Sequence, residues 1–326
     1  MTLRAGVVGL GVMGRHHSRV LSQLDGVEFV GVSDPADAVG PTIQGKPVYT
    51  SLDEFLDQAV DYCVVSAPTT YHLSIARQLA ERGIHALVEK PVASTAEEAI
   101  TLRDLFAEKK LVGGVGHIER YNPALQAARQ RLEDGLLGDI YQVATRRQGP
   151  FPGRIADVGV IKDLASHDID LTAWVTQQEY VSVNARTTHR SGRAHEDMVV
   201  AVGTLSKGTI VSHTINWLTP FKERVTVITG ENGVLVADTL TADLTYFQNG
   251  VIEQTWDGSA SFRGVSEGDM TRFALNRKEP LLAEHEAFRD AILTGDQSKI
   301  VTFAEGTRVV EIAEAMVADG SSFRLS

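Results

Sequence analysis

The run Gly9-Leu-Gly-Val-Met-Gly14 constrains the fold of this chain more than any other stretch. It is a G-x-G-x-x-G pattern, preceded by the apolar segment Ala5 to Gly9 and followed by helix-like sequence from Gly14 to Leu24. In that setting the first glycine permits a tight strand-to-helix turn. The second lets a ligand's backbone approach, and the third lets helix pack on strand. The free N–H groups of the helix start then face an anion. An acidic residue follows at the expected distance: Asp34 ends the segment Val27 to Ser33, twenty residues past Gly14. There a carboxylate accepts hydrogen bonds from adenosine ribose hydroxyls, and the pattern predicts NAD as the cofactor. A glycine turn in an α/β fold without a nucleotide is the competing reading.

The rest of the first third keeps the same rhythm. Tyr62 to Ser66, His85 to Val88 and Leu111 to Val115 read as strands, and Leu73 to Arg82 as a helix closed by Gly83. Ser94, with Glu97 three residues on, has capping-box spacing for a helix running to about Lys109. Asp37 to Lys46, with Gly40, Pro41 and Gly45, reads as a loop. Beyond residue 118 the pattern changes. Asn122 to Glu133 and Val160 to Val175 read as helices and Ile140 to Arg147 as a strand. Strands dominate from Tyr180 to Gln254, with turns at Ser206-Lys-Gly208, Glu231-Asn-Gly233 and Gln248-Asn-Gly250. Helices return at Glu284 to Leu293 and Phe303 to Val317. The fold class expected is α/β followed by α+β: a Rossmann domain with a doubly wound parallel sheet over 1–118, then an α/β domain on a mostly antiparallel open sheet over 119–326. The C-terminal helices are expected to pack back on the first domain.

Composition limits the partners. A net charge of -11 argues against nucleic acid and anionic membrane. No apolar run reaches the ~20 residues of a membrane span, and no signal peptide precedes the first strand, so the cytoplasm is the expected compartment. The single cysteine, Cys63, lies in an apolar run and reads as a buried strand residue; it forms neither a disulfide nor a Cys-based metal site. Adjacent His16 and His17 point in different directions, and His195-Glu-Asp197 and Glu284-His-Glu286 read as solvated polar stretches, so no metal is expected.

Two segments carry candidate chemistry. Glu89-Lys-Pro91 follows the fourth strand, where ligands of doubly wound sheets bind. From position alone, Lys90 reads equally well as an exposed loop lysine. Asp163 and His167 are four apart, hence on one helix face, and an acid beside an imidazole orients a base. Spacing alone also fits an incidental surface pair.

These segments together resemble the glucose–fructose oxidoreductase, inositol dehydrogenase and rhizopine-catabolism family, Gfo/Idh/MocA. The resemblance rests on Gly9 to Gly14 with His17, on Asp34-Pro35, Ala67-Pro-Thr-Thr-Tyr-His72 and Glu89-Lys-Pro91, and on Asp163-x-x-x-His167. It implies a catalytic set of Lys90, Asp163 and His167. It also implies a cofactor site of Gly9, Leu10, Gly11, Val12, Met13, Gly14, Asp34, Ala67, Pro68, Thr69, His72, Glu89 and Lys90. Gly116-His-Ile-Glu-Arg-Tyr-Asn-Pro123, the segment Asp157 to Leu171 and Asn216-Trp-Leu-Thr-Pro220 resemble the branch that oxidises C3 of UDP-N-acetylglucosamine or its uronate. That resemblance implies a sugar or nucleotide-sugar substrate held by Lys90, Arg120, Tyr121, Asn122, Arg147 and His167, and a homodimer or homotetramer. Arg146 and Arg154 are further candidate phosphate donors, though neighbours on a strand such as Arg146 and Arg147 point to opposite faces. Trp217 is either a uracil platform or a core residue. A free-polyol dehydrogenase, and a dinucleotide-sensing regulator without activity, are the rival functions.

Overall fold

The computed structural model describes residues 2–36, 40–153, 158–250 and 266–320. The chain forms two compact units, Met1–Tyr121 with Lys278–Glu314, and Asn122–Arg277 with Ala315–Ser326.

The first unit begins β1 (Leu3–Val8), α1 (Val12–Leu21), β2 (Val27–Ser33), β3 (Thr42–Ile43), β4 (Lys46–Tyr49) and α2 (Leu52–Leu56). It continues β5 (Tyr62–Val65), α3 (His72–Glu81), β6 (His85–Glu89), α4 (Ala96–Lys109) and β7 (Gly113–Gly116). The sheet order is β3-β4-β2-β1-β5-β6-β7, parallel throughout except for the β3–β4 hairpin. Alternate residues of each central strand face opposite cores. Ala5, Val7, Tyr62, Val64 and Leu87 pack on one side, and Val8, Cys63, Val65, Ala86 and Val88 on the other. Helices cover both sides, as a parallel sheet requires. α7 (Pro280–Thr294) returns to this unit with the start of α8 (Phe303–Gly320). Phe288 and Phe303 lie against β7, where a Cβ at Gly114 or Gly113 would fall 2.8 or 2.6 Å from a ring.

The second unit carries α5 (Pro123–Glu133), β8 (Ile140–Pro150) and α6 (Ser166–Thr176), then β9 (Tyr180–Thr188), β10 (Met198–Leu205) and β11 (Ile210–Asn216). β12 (Leu218–Gly230), β13 (Gly233–Asp238), β14 (Asp243–Gly250) and β15 (Ser266–Arg272) follow. These strands form one sheet, β15-β14-β13-β12-β8-β11-β10-β9, antiparallel except for β8–β11. One face is covered and the other open: in β10, Val199 and Ala201 are buried, while Val200 and Val202 are exposed.

Several local expectations need correction. The cap of α4 is Thr95, one residue later than expected; its hydroxyl accepts from Glu98 N–H, while the Glu98 carboxylate accepts from Ser94 N–H. Within Asp37 to Lys46, residues from Thr42 onward join the sheet edge as β3 and β4, because β4 finds β2 to pair with; Asp37 lies outside the described residues. Gln248-Asn-Gly250 is no turn: it ends β14 and pairs with β15. Gln254, Arg154 and Asp157 lie outside the described residues. The helix expected from Val160 opens as a π-helical turn, Ile161–Ala165, before α6.

Candidate active site

Parallel strands bring the loops after β1, β2, β5 and β6 to one edge of the first sheet. The chain leaves β1 toward β2 on one side, and β5 lies on the other, so this is the point where strand order reverses. Gly9 has φ +95°, and a Cβ on it would meet the Ala67 backbone nitrogen at 2.6 Å. A Cβ on Gly14 would lie 2.0 Å from Gly9 O. Both glycines are therefore fixed by the protein's own packing. Gly11 is different, since a Cβ there has nothing within 4 Å. It is exposed at the N-cap of α1, between buried Leu10 and exposed Val12, with Met13 half-buried. Of the three motif glycines, Gly11 alone has open space where its side chain would be, and it is the one where a pyrophosphate would approach, so the loop fits the dinucleotide.

Asp34 anchors the loop. Its Oδ2 accepts from Leu10 N–H at 2.6 Å and its Oδ1 from Ala36 N–H at 2.9 Å. An ionised carboxylate has about four acceptor positions, so capacity for ribose hydroxyls remains. Ser66, which the sequence did not single out, donates to Gly9 O at 2.8 Å and clasps the loop to β5.

Ala67 and Thr69 are half-buried and Pro68 exposed at this edge. His72 holds backbone at this edge. It is 1 % exposed, and its Nε2 and Nδ1 face Ala67 O at 2.9 Å and Pro91 O at 3.0 Å, so the ring ties two loops together. Burial lowers its pKa more than the surrounding carbonyls raise it, and the neutral ring donates one of the two bonds. The Lys90–Pro91 bond is cis. Glu89, at the end of β6, accepts from Lys90 N–H at 3.1 Å and faces His17 at 2.9 Å. Burial pushes the Glu89 carboxyl up, but His17 and Lys90 outweigh it and hold the group ionised below the usual range.

In the second unit Asp163 lies buried in the π-helical turn, and His167 is half-buried in the first turn of α6. Such turns are rare and concentrate at functional sites. Glu196 caps this helix: its main-chain O accepts from Val160 N–H and its Oε1 from Ile161 N–H, both at 3.0 Å. Gly159 leaves room for it, since a Cβ would fall 2.0 Å from Oε1. Asp197 accepts from Arg190 and Ser191 N–H, each at 2.6 Å. Glu196 and Asp197 are thus buried caps, and Glu284 and His285 are buried as well, at 1 % and 0 % exposure. This corrects the expectation of solvated stretches: Glu196 finds its partner 35 residues away and His285 268 residues away, while Asp197 is buried by the turn at Arg190 and Ser191.

The arginines expected to hold phosphate are already engaged. Arg147 is buried on the covered face of β8 and donates to Asp168 at 2.6 Å. Arg146 points outward and pairs with Glu223. Arg120, buried in the first unit, pairs with Glu305 at 2.8 Å. All three guanidiniums are ion-paired within the protein in this structure, so a phosphate would have to share or exchange these carboxylate partners. Tyr121 OH donates to Lys299 O. Asn122 caps α5, accepting from Ala124 N–H and donating to Thr239 O, so both ends of its amide hold backbone. Trp217 is a 4 %-exposed core residue against Phe151. Among the described residues no cluster of His, Cys, Asp and Glu is arranged to hold a metal, and no helix is long and apolar enough to cross a membrane.

Residues 3–117 match the oxidoreductase family with an NAD-binding Rossmann fold, and residues 125–236 match the GFO/IDH/MocA C-terminal domain. The chain is 35 % identical over 217 residues to UDP-N-acetylglucosamine 3-dehydrogenase of Acidithiobacillus ferrooxidans, covering 64 % of this chain and 66 % of that protein. It is 30 % identical over 209 residues to inositol 2-dehydrogenase 2 of Saccharopolyspora erythraea, covering 60 % of each. These alignments thus span three fifths to just under two thirds of the relatives. The solved structure of UDP-N-acetylglucosamine 3-dehydrogenase GnnA from A. ferrooxidans superposes with a TM-score of 0.84 at 27 % identity, covering 98 % of both chains.

Proposed function

The chain belongs to the GFO/IDH/MocA oxidoreductase family, and from that premise we propose that it is an NAD-dependent dehydrogenase oxidising C3 of a UDP-linked N-acetylhexosamine to a 3-keto sugar. The observation that carries the substrate is the likeness to UDP-N-acetylglucosamine 3-dehydrogenase, in sequence and over the whole fold. Bound NAD supplies the acceptor for the hydride that leaves the carbinol carbon. His167 takes the hydroxyl proton as C–H and O–H bonds give way to C=O, and Asp163 orients the imidazole. The Lys90 ammonium donates to the same oxygen and steadies the developing alkoxide. The proton left on His167 passes to solvent.

The resting state of the arginines favours a second reading, a free-polyol dehydrogenase. Arg120 and Arg147 are neutralised by Glu305 and Asp168, so a diphosphate would have to share or exchange these partners. An inositol 2-dehydrogenase is among the relatives. Steady-state NADH formation with UDP-N-acetylglucosamine, its uronate and myo-inositol side by side separates the two. Turnover of a UDP-sugar is expected; turnover of myo-inositol alone would overturn the substrate and leave the dehydrogenase standing. His167→Ala should lower kcat by ~10²–10⁴ with NAD affinity unchanged. Wild-type turnover in both His167→Ala and Lys90→Ala would refute the roles given to them. We place the enzyme in the cytoplasm with its nicotinamide pool, as a homodimer or homotetramer joined through the open sheet faces.

A further inference from the structure

Three titratable side chains line up behind the Lys90 loop, all within the first unit. Glu89 Oε2 accepts from the Lys90 main-chain N–H at 3.1 Å. Glu89 Oε1 faces His17 Nε2 at 2.9 Å, and His17 Nδ1 faces His285 Nε2 at 2.9 Å. Both imidazoles are fully buried, His17 on α1 and His285 on α7. The rings meet edge to face at 77° with centroids 5.0 Å apart. This is a single file running from α7 through α1 to the backbone of the candidate catalytic lysine.

Proton count decides what the file does. Glu89 is ionised, so His17 Nε2 carries a proton and donates it. The His17–His285 contact then needs one proton shared between two nitrogens. If His17 donates from Nδ1 as well, it is a cation, and His285 is left with its proton on Nδ1. That atom is buried with no hydrogen-bond partner among the described residues, so an N–H there is costly. If His285 donates from Nε2, both rings are neutral and only an acceptor lone pair is left over. Burial, the largest cause, holds His285 well below the ordinary histidine range, in keeping with a neutral His285.

We propose that His17 and His285 are positioning residues for the reaction assigned to Lys90. His285 donates from Nε2 to His17 Nδ1, which locks His17 in its Nε2–H tautomer. His17 in turn fixes the Glu89 carboxylate that pins the Lys90 backbone. The inference rests on the role proposed for Lys90. A third group orienting the ring that orients an acid is a general device for fixing a tautomer.

The first test needs no substrate. In ¹⁵N-histidine-labelled protein at pH 7, both rings are expected to be neutral and protonated on Nε2. A His285 protonated on Nδ1, or a cationic His17, would overturn the proposal. The second test compares two variants. His285→Gln keeps an N–H near the position of Nε2 and should keep kcat within about threefold, whereas His285→Leu removes it and should lower kcat by ~10–100-fold. NAD affinity should hold in His285→Leu, while the melting midpoint falls modestly, because the buried His17 Nδ1 loses its donor. Wild-type kcat in His285→Leu, or equal loss in both variants with lowered melting, would count against it. Lys90→Met run alongside separates the failures. Full activity there removes the role of Lys90 itself, while an inactive Lys90→Met beside a fully active His285→Leu removes only the present inference.

Discussion

Gly9, Gly11 and Gly14 should answer one added methyl group in two different ways. Gly11→Ala meets no protein atom within 4 Å and has φ -69°, open to alanine, so stability should hold or rise by ~0.4–1 kcal/mol. The methyl does occupy the approach of the pyrophosphate, so NAD should bind at least ~10-fold more weakly, about 1.4 kcal/mol. Gly14→Ala and Gly9→Ala force contacts of 2.0 and 2.6 Å on backbone and should lower the melting midpoint outright. Thermal unfolding with NAD titration calorimetry checks both halves; wild-type NAD affinity in Gly11→Ala would contradict the placement. Asp34 carries a second expectation. A 2′-phosphate would meet its carboxylate, and Pro35 and Ala36 bring no cation, so kcat/KM should favour NAD over NADP. Equal values would refute it. Residues whose placement is set by neighbours in the chain were legible in the sequence: the glycines of the turn, Asp34 at its strand end, Cys63 buried in its apolar run. His17 and His285 were not, because they are 268 residues apart and only tertiary packing pairs them.

At the scale of elements, strand and helix periodicity placed most of the regular structure, and β2 falls on its expected residues, Val27–Ser33. What escaped is what a partner element imposes. β3 and β4 are too short to show alternation and exist through pairing at the sheet edge. The π-helical turn before α6 goes with the Glu196 cap, 35 residues away from Ile161. Helix α6 is also held to the sheet by the Arg147–Asp168 pair, 3 % and 2 % exposed. Breaking such a pair leaves one charge buried alone, so Arg147→Met should cost ~3–5 kcal/mol. Arg147→Met with Asp168→Leu replaces both charges by apolar groups and should recover most of that loss. Denaturant melts of the two single variants and the double variant close the cycle; additive losses would show that the pair is not coupled. Because Asp168 adjoins His167, the double variant should regain stability before activity.

At the scale of the molecule, the open face of the second sheet is the feature that a lone chain leaves unexplained. Strand register sets Val202, Ser212, Ala144, Val227 and Val236 in one row across five strands. A parallel row runs through Ile210, Gln142, Thr229, Val234, Phe247 and Met270. Val202, Ile210, Phe247 and Met270 are 52 %, 53 %, 43 % and 65 % exposed. Apolar residues set side by side in register form a patch, and patches of a few hundred Å² on soluble proteins mark interaction surfaces. A two-fold axis through such a face brings the same rows together from both copies, and a stable contact needs about 800 Å² from each. The protein should therefore sediment at a multiple of 35.3 kDa at micromolar concentration. Val202→Glu with Phe247→Glu alters only exposed side chains, so each unit should fold as before. In a symmetric pair, however, every added carboxylate appears twice within one interface, which desolvates like charges at close range. The double variant is expected to sediment at 35.3 kDa with an unchanged circular dichroism spectrum. A wild-type chain already monomeric, or an assembly indifferent to both glutamates, would rule this face out as the contact.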